Sequence, residues 1–176
     1  MLVALLVTAV LAAGVTAQAC PRPTPPAGGL PTSLDLFVPV TYSDGYQTMG
    51  TLILPIGAPP TCGWPLVVVV HPYGQTRGFD QQLQQALAGQ GYAVWSYDVR
   101  AHGQALVLNP GHLHAGSTMW GPIERYDLAE QILFVAGNPA WAGVIDASRV
   151  AVYGSSQGGA HAWHAAAWSG RAIAAP

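Results

Sequence analysis

Lysine is absent from this chain of 176 residues, whose six basic residues are all arginine. Charged residues make up 8% of the sequence and the formal net charge is −2, whereas about a quarter of an average soluble domain is charged. Proteins that bind phosphate backbones need a basic patch, so this composition excludes nucleic acid as a partner. So small a net charge also provides no long-range attraction for acidic or basic partners.

Cysteine is scarce as well. Two cysteines, Cys20 and Cys62, are too few for a disulfide-dense miniprotein or a four-cysteine zinc site. Neither has a histidine or a second cysteine at metal-ligand spacing, so we predict no metal at these positions. The two could pair in an oxidising compartment or remain as thiols, because a sequence alone does not place their Cα atoms within bridging distance.

The chain begins with an uncharged, apolar segment. Residues 1–19 end in Ala17-Gln18-Ala19, the small-x-small pattern of a signal-peptide cleavage site, so we predict a secreted or periplasmic protein. The apolar run is short for a stable membrane span, which needs about 20 apolar residues. A lipid anchor at Cys20 is disfavoured, because that signal has a bulky aliphatic residue where Ala17 stands. No basic segment precedes the run, which leaves the true N-terminus open.

A Pro/Gly-rich linker over residues 20–33 is predicted to lead into one domain over residues 34–176. Asp44-Gly45 separates two β-rich runs, which indicates a hairpin. After it, strands and helices alternate: strand 65–70, helix 79–89, strand 92–99, a long loop over 100–121, helix 123–136, strand 149–153 and helix 159–168. We therefore predict an α/β fold in which a hairpin leads into a mostly parallel sheet with helices on both faces.

One motif carries chemistry. Residues 154–158 (GSSQG) fit G-x-S-x-G and lie between a predicted strand and a predicted helix, the context that this nucleophile motif requires. The tight turn exposes the central side chain and directs the following N–H groups towards a developing oxyanion. Ser156 is therefore the candidate nucleophile, Gly154 and Gly158 support the turn, and Ser155 is interpreted as structural. The dinucleotide spacing G-x-G-x-x-G is absent from this turn, and a phosphate-binding loop would need a lysine.

From residue 35 onwards the chain resembles the first part of an α/β-hydrolase. The resemblance is strongest to the dienelactone hydrolase, acetyl xylan esterase and prolyl oligopeptidase or X-prolyl dipeptidyl peptidase-like branches. Four stretches carry it, in this order: the SDG hairpin, VVVVHPYG, GYAVWSYDVRAHGQA and RVAVYGSSQGG. The resemblance implies a serine hydrolase that cleaves ester or peptide bonds of a small-molecule substrate through an acyl-enzyme on Ser156, with no cofactor or metal. We favour an esterase slightly over a peptidase.

The resemblance also implies an oxyanion hole. Its donors would be the backbone N–H of Gln157 and either the N–H or the phenol of Tyr73; alternatively, Tyr73 only lines the pocket. Pro72 stands where relatives often have glycine and offers no N–H. Asp98 corresponds to a structural aspartate of the family rather than to the acid of the triad, and Ala101 replaces a usual glycine.

Other polar residues receive structural interpretations. Glu124 and Asp127 open a predicted helix, where carboxylates favour the positive end of the helix dipole, so we predict capping. His112 and His114 form too small a set for a metal. His161 and His164 are predicted to lie on a helix face or a pocket wall.

The sequence lacks the rest of a catalytic triad. In α/β-hydrolases the acid and the histidine follow the nucleophile, but the 20 residues after Ser156 contain no Asp or Glu. We therefore expect an N-terminal fragment that lacks the C-terminal acid and histidine and is inactive by itself. The alternative from another class is a non-catalytic carbohydrate- or partner-binding domain of the same fold, for which the six Trp and seven Tyr would supply a sugar platform.

Overall fold

The computed structural model describes residue 20, residues 34–119 and residues 121–168. The predicted leader and nearly all of the predicted linker lie outside the described residues. The strands are β1 (Leu34–Thr41), β2 (Gln47–Leu54), β3 (Trp64–Val70), β4 (Ala93–Tyr97) and β5 (Ile145–Gly154). The helices are α1 (Gln81–Gly89), α2 (Ala105–Leu108), α3 (Pro122–Gly137) and α4 (Gln157–Trp168), with a 3₁₀ turn at Pro139–Trp141.

The five strands form one sheet in the order β1-β2-β4-β3-β5. The first two strands form the predicted hairpin, and β2 also pairs with β4 in the antiparallel direction. Strands β4, β3 and β5 are parallel to one another. The predicted α/β fold, a hairpin that leads into parallel strands, is confirmed.

Helices cover both faces of the sheet. On one face α1 packs on Ile53, Val67, Val69 and Val94, and on the other face α3 and α4 cover a larger core centred on Trp95. Every residue of β3 is buried, as the uninterrupted aliphatic run predicts for a strand covered on both sides. The connections after β3 and β5 leave towards opposite faces, and open α/β sheets typically bind ligands at the carboxyl edge beside such a pair of strands.

Several element boundaries differ from the sequence prediction. Helix α1 begins at Gln81, two residues later than predicted, because Asp80 has a left-handed φ of 57°. Strand β5 begins at Ile145, four residues earlier, with an irregularity opposite Pro65 and Leu66. The loop over 100–121 contains α2, one helical turn anchored on the hairpin by a hydrogen bond of 3.1 Å from the Tyr46 hydroxyl to the carbonyl of Ala105.

The interpretation of Asp127 as a helix cap is wrong. Arg100 is almost fully buried and makes a two-pronged ion pair with Asp127, with distances of 2.8 Å and 2.6 Å. Its guanidinium also stacks 4.0 Å from the ring centre of Tyr46 and bonds Asp44 at 3.0 Å. This cluster joins the hairpin to α3, a long-range contact that helix-terminus statistics do not reveal.

Cys20 and Cys62 form a disulfide with a Cα–Cα distance of 6.0 Å. The bond ties the residue that follows the predicted cleavage site to the loop before β3. It closes a loop of 42 positions, which restricts the unfolded chain more than the folded one.

Candidate active site

The turn between β5 and α4 holds Ser156 in a backbone conformation that is rare for a residue with a side chain. Its φ is +52°, in the left-handed region that a non-glycine residue occupies only at some energetic cost. Ser156 is exposed, and its carbonyl accepts the N–H of Ala160 at 3.0 Å in the first turn of the helix. Ser156 is therefore accessible at the carboxyl edge of the sheet, between β5 and α4.

Two glycines allow this turn to pack closely. A Cβ on Gly154 would overlap the backbone of Gly158, and a Cβ on Gly158 would overlap the carbonyl oxygen of Val70. The second contact presses the start of α4 against the end of β3. Because Val70 pairs with Gly154 in the parallel register, the turn lies beside the loop that begins at His71.

Gln157 supplies a backbone N–H at this junction. It is the first residue of α4, and the first N–H groups of a helix have no acceptor within their own helix. The positive end of the helix dipole lies at the same place. The arrangement suits a negatively charged oxygen beside Ser156.

His71 fixes the conformation of the loop after β3. Its Nδ1 lies 2.8 Å from the carbonyl oxygen of Pro72, and its Nε2 lies 3.0 Å from the backbone nitrogen of Val99. The carbonyl needs a donor and the N–H needs an acceptor, so the ring is neutral with its proton on Nδ1. Burial lowers the pKa of His71 to about 4, which agrees with a neutral ring.

Tyr73 lies on the same loop, with a side chain that is 57% exposed. The edge of its ring meets His102, with the ring centres 5.1 Å apart, and His102 in turn contacts His71 at 5.1 Å. The loops after β3 and β4 thus meet through three aromatic rings.

Asp98 has a structural environment. Its carboxylate accepts hydrogen bonds from the backbone N–H of Arg77 at 2.8 Å and of Gln104 at 3.0 Å, and it also pairs with the Arg77 guanidinium. A Cβ on Gly103 would overlap this carboxylate. Ala101, at the position where the sequence resemblance implies glycine, has a φ of +62°, in the left-handed region that favours glycine.

The two completely buried histidines do not bond to Ser156. Both ring nitrogens of His71 are engaged elsewhere, as described above. On α4, His161 Nε2 lies 3.0 Å from the carbonyl oxygen of Met119, and its Nδ1 has no hydrogen-bond partner among the described residues. A general base for Ser156 is thus not supplied by either ring.

Ser117 and Glu124 are partners of the site that the sequence did not reveal. The side chain of Gln157 is fully buried and contacts Ser117, which bonds to Glu124. Glu124 lies in the first turn of α3, where a helix-capping role was predicted. Glu124 is linked to the candidate nucleophile turn because Ser117, in the loop before α3, contacts both Glu124 and Gln157.

The described residues include possible metal ligands, among them the histidines of the loop before α3. Within the described residues, no three His, Cys, Asp or Glu side chains form a group that could hold a metal ion. His112 places Nε2 3.1 Å from the carbonyl oxygen of Asp44 and accepts the N–H of His114 on Nδ1.

No helix in the described part of the chain has both the length and the apolar character needed to cross a membrane. Trp64 and Trp95 are core residues, whereas Trp163 is 81% exposed.

No protein-family model matches this sequence, and no curated protein matches it significantly. Solved structures do match. An acetyl xylan esterase from Paenibacillus sp. R4 is 24% identical, with a TM-score of 0.57 over 82% of this chain and 52% of its own. An esterase from Pyrococcus furiosus is 22% identical, with a TM-score of 0.57 over 83% of this chain and 51% of its own.

A dienelactone hydrolase from Anabaena variabilis is 21% identical, with a TM-score of 0.59 over 78% of this chain and 59% of its own. The match thus spans between half and three-fifths of the length of these three structures. These likenesses show the fold, which is α/β-hydrolase-like, as the sequence resemblance implies.

Proposed function

We propose that the whole protein is a serine hydrolase that cleaves carboxylic esters through an acyl-enzyme on Ser156. The observation that carries the proposal is the positive φ of this serine, +52°, at a turn between a parallel strand and a helix. A protein retains such a conformation only where the surrounding contacts enforce it, and nucleophile turns of this fold are built in this way.

The proposed reaction is acyl transfer in two steps. Ser156 Oγ would attack the ester carbonyl carbon while its proton passes to a histidine acting as general base. The resulting oxyanion would accept hydrogen bonds from the backbone N–H of Gln157 and from Tyr73. Collapse would expel the alcohol, which takes the proton from the histidine, and water would then release the acid from Ser156 in the same manner.

We propose that the histidine and its orienting acid belong to residues that follow position 176. The chain order of this fold supports this, because the acid and the histidine come after the nucleophile. The matched esterase from Paenibacillus sp. R4 is also the longer chain, because the match takes in 82% of this chain but 52% of the esterase. Residues 1–176 alone would then lack turnover, because an unassisted serine hydroxyl is a weak nucleophile.

An ester substrate is favoured over a peptide. Structures that match this chain include proteins named as an acetyl xylan esterase and other esterases. The test is to compare kcat/KM of the full-length protein on p-nitrophenyl acetate and on an aminoacyl p-nitroanilide. Faster turnover of the ester supports the proposal, and preference for the anilide would make the protein a peptidase.

Export is part of the proposal. A signal peptide over residues 1–19 would be cleaved before Cys20, and the Cys20–Cys62 disulfide suits an oxidising compartment outside the cytosol. Mass spectrometry of the protein recovered from the culture medium or the periplasm should find a mature chain that begins at Cys20. A cytosolic protein that retains residues 1–19 would contradict export.

The decisive experiment is covalent labelling of the full-length protein with a fluorophosphonate. We expect labelling of the wild type, no labelling of Ser156→Ala and retained labelling of Ser155→Ala, the matched control at the neighbouring exposed serine. An unlabelled wild type, or labelling that persists in Ser156→Ala, would overturn the proposal. The first of these outcomes would favour the non-catalytic binding domain, which titration with xylo-oligosaccharides would then examine.

A further inference from the structure

The side chain of Gln157 lies behind the nucleophile turn and is completely buried. Its Nε2 donates to the hydroxyl of Ser117 at 3.2 Å, 40 positions earlier in the chain. That hydroxyl lies 3.0 Å from the carboxylate of Glu124 and accepts the backbone N–H of Met119 at 3.1 Å. A continuous chain of hydrogen bonds therefore runs from α3 to Gln157, whose backbone N–H is the candidate oxyanion donor.

The direction of these bonds is fixed. Ser117 has one proton, which it donates to the carboxylate of Glu124, so it only accepts from Gln157. The nitrogen of the Gln157 amide must then face Ser117. The other amide atom, Oε1, has no hydrogen-bond partner among the described residues, so within that part of the chain the hydroxyl of Ser117 alone orients this buried amide.

Glu124 is ionised although its side chain is buried. Burial by itself raises the pKa of Glu124, but hydrogen bonds from the hydroxyl and N–H of Thr118, together with that of Ser117, bring it below the ordinary value. The carboxylate is therefore ionised at neutral pH. An ionised carboxylate only accepts hydrogen bonds, so the Ser117 hydroxyl must direct its proton towards Glu124.

A second contact joins α4 to the same segment. His161 lies one helical turn after Gln157 and places Nε2 3.0 Å from the carbonyl oxygen of Met119. Met119 itself has a φ of +66°, and a Cβ on Gly121 would overlap the Thr118 side chain. Residues 117–119 are thus held in one conformation against the start of α4.

We propose that Ser117, oriented by Glu124, is a positioning residue that sets the backbone N–H of Gln157 for the oxyanion through the side chain of the same glutamine. The inference rests on the proposed function. The side chain and the N–H share one Cα at the first position of α4, so anchoring the amide restrains rotation of that peptide group. Displacements of 1 Å in such a group reduce catalytic rates by up to about a hundredfold.

The test compares three variants of the full-length protein. Ser117→Ala removes the hydroxyl, Ser117→Thr restores it with an added methyl at a half-buried position, and Ser43→Ala is the matched control. Ser43 also donates to a glutamate, Glu130, at 2.6 Å, but it lies in the turn between β1 and β2. The measurements are kcat and KM on p-nitrophenyl acetate and the affinity for an alkylboronic acid, whose tetrahedral adduct carries a charged oxygen.

We expect Ser117→Ala to lower kcat by about tenfold or more with KM changed less than about twofold, because the oxyanion forms only in the transition state. Boronate affinity should fall by a similar factor, and Ser117→Thr should recover most of both. Unchanged kcat in Ser117→Ala, failure of threonine to rescue, or an equal loss in Ser43→Ala would overturn the inference while leaving Ser156 as the nucleophile. An inactive, unlabelled wild type would overturn the proposed function and this inference with it.

Discussion

His71 makes the folded protein sensitive to mild acid. Burial lowers the pKa of its ring to about 4 from an ordinary value of 6.5. Between these two pH values the unfolded chain binds a proton that the folded chain does not, so the free energy of unfolding decreases as the pH falls from 6.5 to 4. The difference in pKa corresponds to about 3 kcal/mol, a large part of the stability of an ordinary domain.

The structure explains why the ring of His71 stays unprotonated in the folded protein. A proton on Nε2 would face the backbone N–H of Val99, 3.0 Å away, and the loop after β3 would lose that contact. Replacement by glutamine keeps an uncharged acceptor near the same position but removes the titration. We therefore expect His71→Gln to lose stability at pH 7 yet to vary with pH by about 3 kcal/mol less than the wild type between pH 6.5 and 4.

The assay is urea unfolding of the disulfide-bonded protein, followed by tryptophan fluorescence at several pH values in that window. His161, whose pKa burial also lowers, and the carboxylates contribute to both proteins and cancel in the comparison. His114→Gln, at an exposed position, is the control and should follow the wild-type curve. Parallel pH dependence of the wild type and His71→Gln would refute the reasoning.

Three further predictions concern packing and cross-links. Gly158→Ala should lower the free energy of unfolding by about 1–3 kcal/mol and slow fluorophosphonate labelling, because its Cβ would overlap the carbonyl oxygen at the end of β3. The control Gly137→Ala adds a Cβ that meets nothing within 4 Å and should do neither. Equal effects of the two substitutions would contradict the prediction. Reduction of the Cys20–Cys62 bond should lower the free energy of unfolding by about 4 kcal/mol for a loop of 42 positions. The measurement is urea unfolding with and without dithiothreitol, and an unchanged unfolding midpoint would argue against the disulfide. Arg100→Met should lower the free energy of unfolding by about 3–5 kcal/mol in the same assay, because it leaves the buried carboxylate of Asp127 without its ion-pair partner. A loss below about 1 kcal/mol would show that the ion pair is dispensable.

The order of elements and the position of the candidate nucleophile followed from local sequence. Asp44-Gly45 marks a hairpin, and an aliphatic run such as that of β3 marks a strand buried on both faces. The motif around Ser156 requires only a strand before it and a helix after it, and both follow from residues within a dozen positions. These signals lie inside one segment, so they could be interpreted without knowing how segments meet.

The start of α1 and the one-turn helix α2 could not be predicted from local sequence. Helix α1 starts late because Asp80 takes a left-handed conformation, which no propensity predicts. Helix α2 depends on a bond between Tyr46 and Ala105, 59 positions apart. Such elements are stabilised by tertiary contacts rather than by their own composition.

Only the tertiary structure could connect the candidate site to its supports. Ser117 and Gln157 are 40 positions apart, and His71 reaches the backbone of Val99 over 28 positions. Which segments meet depends on the strand order β1-β2-β4-β3-β5, and that order is selected by burying both faces of the whole sheet at once. The sequence alone therefore determined which residue is the candidate nucleophile and in what local turn it lies, whereas packing between distant segments decided what holds that residue in place.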